Sequence, residues 1–178
     1  MIRLTLAASA VAILSACASS PTMTAFSQTN LPDAVKVPAG HKVALESVGI
    51  GQITYECRAK KDTTGFEWVF VGPDPKLMAR GGKQIGKYFG PPATWESADG
   101  SKITGTQLAT APAAAGNIPL QLVKANPAMG NGAMTGVGYI QRVDTRGGVA
   151  PSKTCDAGMV SVKEIVNYQA DYIFWKAV

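Results

Sequence analysis

VSVKEIVNYQADYIFWK, residues Val160–Lys176, decides between a helical chain and a strand-built one. Val160, Val162, Val166, Tyr168, Ala170, Tyr172 and Phe174 all fall on one parity. An amphipathic helix would instead space its apolar residues by three and four. Six of these seven are β-branched or aromatic, types that pack well on a pleated surface. The stretch reads as one long C-terminal strand, with a bulge expected near Asn167.

The same alternation recurs upstream. Gly51–Arg58 reads as a strand that places Ile53, Tyr55 and Cys57 on one face and Gln52, Thr54, Glu56 and Arg58 on the other. Lys42–Val48 reads as a separate strand before it, with the break at Gly49–Gly51. Phe66–Val71 carries apolar residues on both faces and reads as a central strand. Lys76–Arg80 and Lys83–Phe89 form a hairpin around Gly81-Gly82. Ile118–Ala125 and Met134–Asp144 are further strands. Leu31–Val37, bounded by prolines, reads as an edge strand or a turn, and Leu108–Asn117 as a surface loop. The chain holds 19 glycines and 11 prolines, as many turns require. No segment after the N-terminus reads as a helix longer than two turns. The expected fold is therefore all-β: a single-domain antiparallel sandwich or barrel of about nine strands over residues 31–178.

Gly86–Gly105, GKYFGPPATWESADGSKITG, is the densest stretch in motifs. Asp99-Gly100 lies between two short alternating runs and predicts a hairpin with a type I′ turn. Pro91 and Pro92 cannot donate to a ladder, so they mark a bend or an edge. Trp95 and Glu96 point to opposite faces. One reading buries Trp95 in the core and leaves Glu96 solvated. The other makes a binding groove floored by Tyr88 or Trp95, with Lys87, Glu96 and Asp99 around it.

The N-terminus is a targeting segment. Arg3 is followed by the apolar run Leu4–Leu14, shorter than the roughly 20 residues that span a bilayer. Leu14-Ser15-Ala16-Cys17 resembles the bacterial lipobox. Residues 1–16 are then a lipoprotein signal peptide, Cys17 is the lipidated first residue, and residues 17–30 form a flexible tether. Each buried methylene contributes about 0.8 kcal/mol, so several acyl chains anchor a domain stably. Ala18 stands where an aspartate would signal retention at the inner membrane. The expected place is the outer membrane, facing the periplasm. Ordinary secretion, with cleavage at a small residue, is the alternative.

The apolar fraction of 46% and charged fraction of 16% suit a packed domain. Beyond residue 16, sixteen basic side chains face twelve acidic ones without any basic run, so nucleic acid is not an expected partner. With Cys17 taken by lipid, Cys57 and Cys155 remain. In an oxidising compartment two cysteines most simply form a disulfide. Free thiols or a metal site are the alternatives, and the chain offers few further ligands.

Several chemistries lack their parts. His41 is the single histidine, and no Gly-x-Ser-x-Gly elbow accompanies it. There is no Cys-x-x-Cys, His-Glu-x-x-His or phosphate loop. No metal site and no cofactor are expected. Carboxylates remain: Glu56 with Glu67 on consecutive strands, and Glu96 with Asp99 at the hairpin. Glycosidases use two carboxylates roughly 5–10 Å apart.

Several runs together resemble the domain of unknown function 3455 family, a group of bacterial and fungal secreted proteins. They are Leu31-Pro32-Asp33-Ala34, Pro38-Ala39-Gly40, Gln52–Cys57, Trp68-Val69-Phe70 and Gly90–Gly105. Ile118-Pro119, Tyr139-Ile140-Gln141-Arg142, Gly147–Pro151 with Cys155, and Tyr168–Phe174 continue the match. The resemblance covers the domain after the tether and carries no activity with it. Two departures are Lys87, where the family pattern implies a histidine, and the extra proline in Gly90-Pro91-Pro92-Ala93.

Two functions follow as expectations. One is a noncatalytic, lipid-anchored envelope domain that binds a polymer, a small ligand or a protein partner. The alternative is an extracytoplasmic hydrolase acting on carbohydrate through Glu96, Asp99 or Glu56.

Overall fold

Period-two alternation becomes nine strands in a computed structural model that describes residues 25–178. The signal segment, Cys17 and residues 18–24 of the expected tether lie outside the described residues. The strands are β1 (His41–Ala59), β2 (Phe66–Pro73), β3 (Lys76–Met78), β4 (Gln84–Phe89), β5 (Thr94–Ser97), β6 (Lys102–Ala111), β7 (Leu120–Ala125), β8 (Val137–Gly147) and β9 (Lys163–Ala177). They form one antiparallel sheet, ordered β2-β1-β3-β4-β5-β6-β7-β8-β9, and β9 pairs back onto β1. The domain is therefore all-β and closed: a barrel, not a sandwich.

β2 and β3 meet the same edge of β1 in one register, Ile53 opposite Pro73 and Ile50 opposite Lys76. They behave as a single strand interrupted at Asp74-Pro75. The nine strands thus make eight walls of an up-and-down meander. A barrel of about eight strands is just wide enough to be filled by side chains or to hold one small ligand.

Inward-pointing residues fill most of it. Trp95, Ile103, Ile140, Tyr172, Phe174, Leu77 and Met134 are at most 1% exposed. A second apolar layer lies outside β7, β8 and β9, where Val35, Val37, Leu122, Val143, Ile173 and Trp175 pack together. Both faces of the C-terminal half of β9 are therefore buried, and only its 168–174 parity faces the barrel. The outer layer is held by Gln141, fully buried. Its amide donates to Val35 O (2.6 Å) and Gln28 Oε1 (3.1 Å) and accepts from Trp175 Nε1 (2.8 Å). Phe26 meets Trp175 edge-on at 6.2 Å, so packing on the barrel begins inside the stretch expected to be tether.

Several local expectations are corrected. Gly49 and Gly51 do not break a strand; β1 runs through them. A Cβ at Gly49 would lie 2.7 Å from the Tyr172 ring, and one at Gly51 2.5 Å from Pro75 Cα. These glycines answer close approach, not a turn. β2 pairs only with β1 and is an edge strand, because β3 takes over the pairing with β4. Phe70 is accordingly 49% exposed. The Asp99-Gly100 hairpin exists, but Ser97 N donates to Ser101 O and Gly100 N to Ser97 O, and only Gly100 has positive φ, at 88°. That is a three-residue loop closed by a left-handed glycine, not a type I′ turn. Leu31–Val37 contains a 3-10 turn at Asp33–Val35, and β6 extends to Ala111. Val160 and Val162 precede β9 and are exposed. β9 pairs with β1 in regular register through Asn167, and the nearest irregularity lies on β8, between Val143 and Arg146, where Asp144 has φ 45°.

Candidate functional site: the open end of the barrel

The two ends of the barrel differ. At one end, Asp99 fastens the β7–β8 connection. Its carboxylate accepts from Ser101 N (2.9 Å), Ser101 Oγ (2.6 Å) and Ala133 N (2.7 Å). Met134, 1% exposed, plugs the interior behind it, with its N–H on Ser101 Oγ at 3.2 Å. The Ser101 hydroxyl, then the Ala133 and Ser101 amides, hold the Asp99 carboxyl far below the usual carboxylate range.

The other end gathers the β1–β2, β4–β5, β6–β7 and β8–β9 connections. There the sheet encloses a cavity of about 150 Å³. Ile53 and Tyr55 of β1, Tyr88 of β4 and Tyr168 of β9 wall it, and Phe70 with Pro73 stand at the β2 side. Ile118 and Pro119, just before β7, and Arg142 of β8 complete it.

Aromatic contacts hold these walls. Tyr88 stacks on Trp95 at 4.7 Å and 19° and meets Tyr172 at 5.2 Å. Tyr55 meets Phe70 edge-on at 6.0 Å and donates its hydroxyl to Gly148 O at 2.8 Å. The Tyr168 and Tyr172 hydroxyls hydrogen-bond to each other. Burial pushes all four phenols up, and the charge of Arg142 opposes it in each case. The cavity therefore presents neutral O–H groups at neutral pH. Arg142 donates Nε and Nη2 to Pro119 O, at 3.2 and 2.9 Å.

The Cys57–Cys155 disulfide ties the β8–β9 connection to β1 beside this end, with a Cα separation of 5.6 Å. Trp68 Nε1 donates to Lys153 O at 2.8 Å along the same connection. Gly148, φ 79°, brings its backbone against Ile53, Ile118 and Tyr168, each about 3.1–3.2 Å from where a Cβ would stand.

The barrel wall divides the five residues expected to share a groove. Tyr88 and Trp95 face inward, and only Tyr88 reaches the cavity. Lys87 and Glu96 lie outside, in a shallow depression over β4 and β5. There Glu96 sits between Lys87 Nζ (3.5 Å) and Lys102 Nζ (3.3 Å). Asp99 is at the plugged end. Glu56 pairs with Arg58 at 3.2 Å, and the register puts Arg58 opposite Glu67. The Arg58 side chain holds the Glu56 carboxyl below the usual carboxylate range, and the Ser101 hydroxyl does the same for Asp99, unlike a general acid, which needs a raised pKa. His41 opens β1; its Nδ1 lies 3.1 Å from Pro38 O and its ring meets Tyr139 edge-on at 4.9 Å. Among the described residues no three His, Cys, Asp or Glu side chains gather as a metal site would require.

Arg142, Tyr55 and Tyr168 were not singled out as site residues from sequence. The tyrosines were legible as inward-facing members of alternating strands. Arg142 had no local signal beyond its place in Tyr139-Ile140-Gln141-Arg142.

The family model for a protein of unknown function, DUF3455, matches residues 38–176. The chain belongs to the DUF3455 family. The match runs from just before β1 to the end of β9, so the family unit is the closed barrel, and the disulfide and cavity lie within it. No curated protein and no solved structure matches the chain.

Proposed function

We propose that this DUF3455 protein is a noncatalytic binding domain, held on the bacterial outer membrane by lipid on Cys17, that takes a small ligand into the open end of its barrel. The observation that carries the reading is the asymmetry of the barrel. One end is plugged by Met134 behind the Asp99 clasp, and the other keeps an aromatic cavity of about 150 Å³ with polar groups converging on it. An apolar pocket with a few placed polar groups is the usual form of a small-molecule site. The ion-paired and hydrogen-bonded states of Glu56, Glu96 and Asp99 favour binding over hydrolysis as the function.

The test is a small-molecule screen on the full chain by thermal shift, since a ligand that binds only the native state raises its stability. A hit should lose most of its stabilisation in Phe70→Ala, which trims an exposed wall residue at the cavity and leaves the core intact. Hits that stabilise Phe70→Ala and the parent equally would place binding elsewhere and end this reading.

A further inference from the structure

Resting on that reading, we propose that the open end of the barrel binds a small organic monoanion: a carboxylate on a single-ring or short branched apolar body, gripped by Arg142.

The structure describes four arginines. Arg58 pairs with Glu56, Arg80 with Glu46 and Asp171, and Arg146 with Asp144. Arg142 alone among them has no carboxylate within ion-pairing distance, and it is the one that walls the cavity. No other charged residue lines that cavity. A guanidinium has five N–H donors, and Pro119 O takes two of them. A half-buried cation beside an apolar wall without a counterion is costly, and an anionic ligand supplies the counterion. A planar guanidinium also matches a carboxylate bidentately.

The Tyr88 hydroxyl makes no hydrogen bond among the described residues, and its ring lines the cavity beside Arg142. A neutral phenol can donate to an anion without adding charge. One cation with one free phenol suits a single negative charge. A dianionic phosphate would bring a second charge that no group in the wall neutralises.

Ile53, Phe70 and Ile118 give the cavity apolar sides. A cavity of about 150 Å³ accepts a molecule the size of benzene. The anion therefore carries a compact apolar body and not a chain of sugars.

The probes are benzoate, neutral benzamide and phenyl phosphate, added to the full chain and followed by calorimetry. Thermal melts establish that each variant is folded. Benzoate is expected to bind at least tenfold tighter than benzamide or phenyl phosphate. Arg142→Lys, which keeps the charge but loses the fork, should weaken benzoate at least tenfold, and Tyr88→Phe about threefold or more. Arg142→Gln, which removes the charge, should abolish benzoate binding; if it fails to fold, Arg142→Lys and Tyr88→Phe carry the test alone. Benzamide binding as tightly as benzoate, with Phe70→Ala weakening both, would overturn the monoanion proposal and leave the cavity reading standing. Phenyl phosphate binding tighter than benzoate would overturn the choice of a monoanion. Binding of benzoate that is unchanged in Arg142→Lys would overturn the role of Arg142. No binding by any probe at 10 mM (about 100 times a 0.1 mM Kd, where stabilisation is readily seen) would overturn the proposal outright.

Discussion

Replacing Cys57 by alanine and Cys155 by serine should lower the melting temperature by roughly 9–19 °C without changing the native structure. The two cysteines are 98 residues apart in sequence. In the chain-entropy account, closing a loop of that length restricts the unfolded chain by about 4.7 kcal/mol. Each kcal/mol moves the midpoint of a domain this size by roughly 2–4 °C, which gives the range above. Alanine is chosen at Cys57 because the residue is 0% exposed, and a buried serine hydroxyl would add a desolvation cost of its own. The native fold should survive because other bonds hold the same region. Cys57 N donates to Val162 O and Ser161 N to Cys57 O, both at 2.9 Å, and Tyr55 and Trp68 hold Gly148 and Lys153. The assay is thermal and urea unfolding of the full chain, parent and variant side by side. The urea m-value should rise, because an unfolded chain without the cross-link exposes more surface. A midpoint loss under about 3 °C would refute the unfolded-state argument. A large loss with an unchanged m-value would place the effect in the native state instead.

Asp99→Asn should flatten the acid limb of stability against pH. The Asp99 carboxyl titrates lower folded than unfolded, so its contribution is complete above the unfolded value of about 3.9 and fades as pH falls below it. Melting temperatures from pH 2 to 7 check this, and an acid limb as steep as the parent's would count against the clasp. Gly148→Ala should cost about 1–2 kcal/mol for the left-handed backbone alone, because φ is 79°, and should also press on Ile53 and Tyr168 at the cavity. Urea titration measures the first effect, and weakened binding of any ligand found at this end measures the second. Mass spectrometry of membrane-fraction protein should find acyl mass on a peptide that begins at Cys17. An unmodified thiol, or a mature N-terminus elsewhere, would end the lipid-anchor proposal.

The class of the fold was readable because strand periodicity is local. Tyr168, Ala170, Tyr172 and Phe174 alternate whatever they pack against, and a period of two excludes a helix within a few residues. The Cys57–Cys155 pairing was readable as the simplest outcome once Cys17, of the three cysteines, was expected to carry lipid. Other local signals had two meanings. A glycine in a strand marks either a break or a close contact, and only the Tyr172 ring lying beside Gly49 decides which. Two apolar faces on Phe66–Val71 suggested a buried strand. The exposure of Phe70 follows instead from Asp74-Pro75 handing the pairing to β3. Closure of the sheet was not legible, because β1 and β9 meet across almost the whole length of the domain and no local pattern records that register. The candidate site belongs to the same class. Lys87, Tyr88, Trp95 and Glu96 are neighbours in sequence, but alternation sends them to opposite sides of one wall. Arg142, Tyr55, Tyr88 and Tyr168 come from four separate strands and share a cavity only because the barrel closes. Sequence determined the strand class, which depends on near neighbours, and pointed to the bridge as the simplest of its alternatives. Tertiary structure alone decided the closed barrel, the plugged end and the cavity, which depend on contacts between residues far apart in the chain.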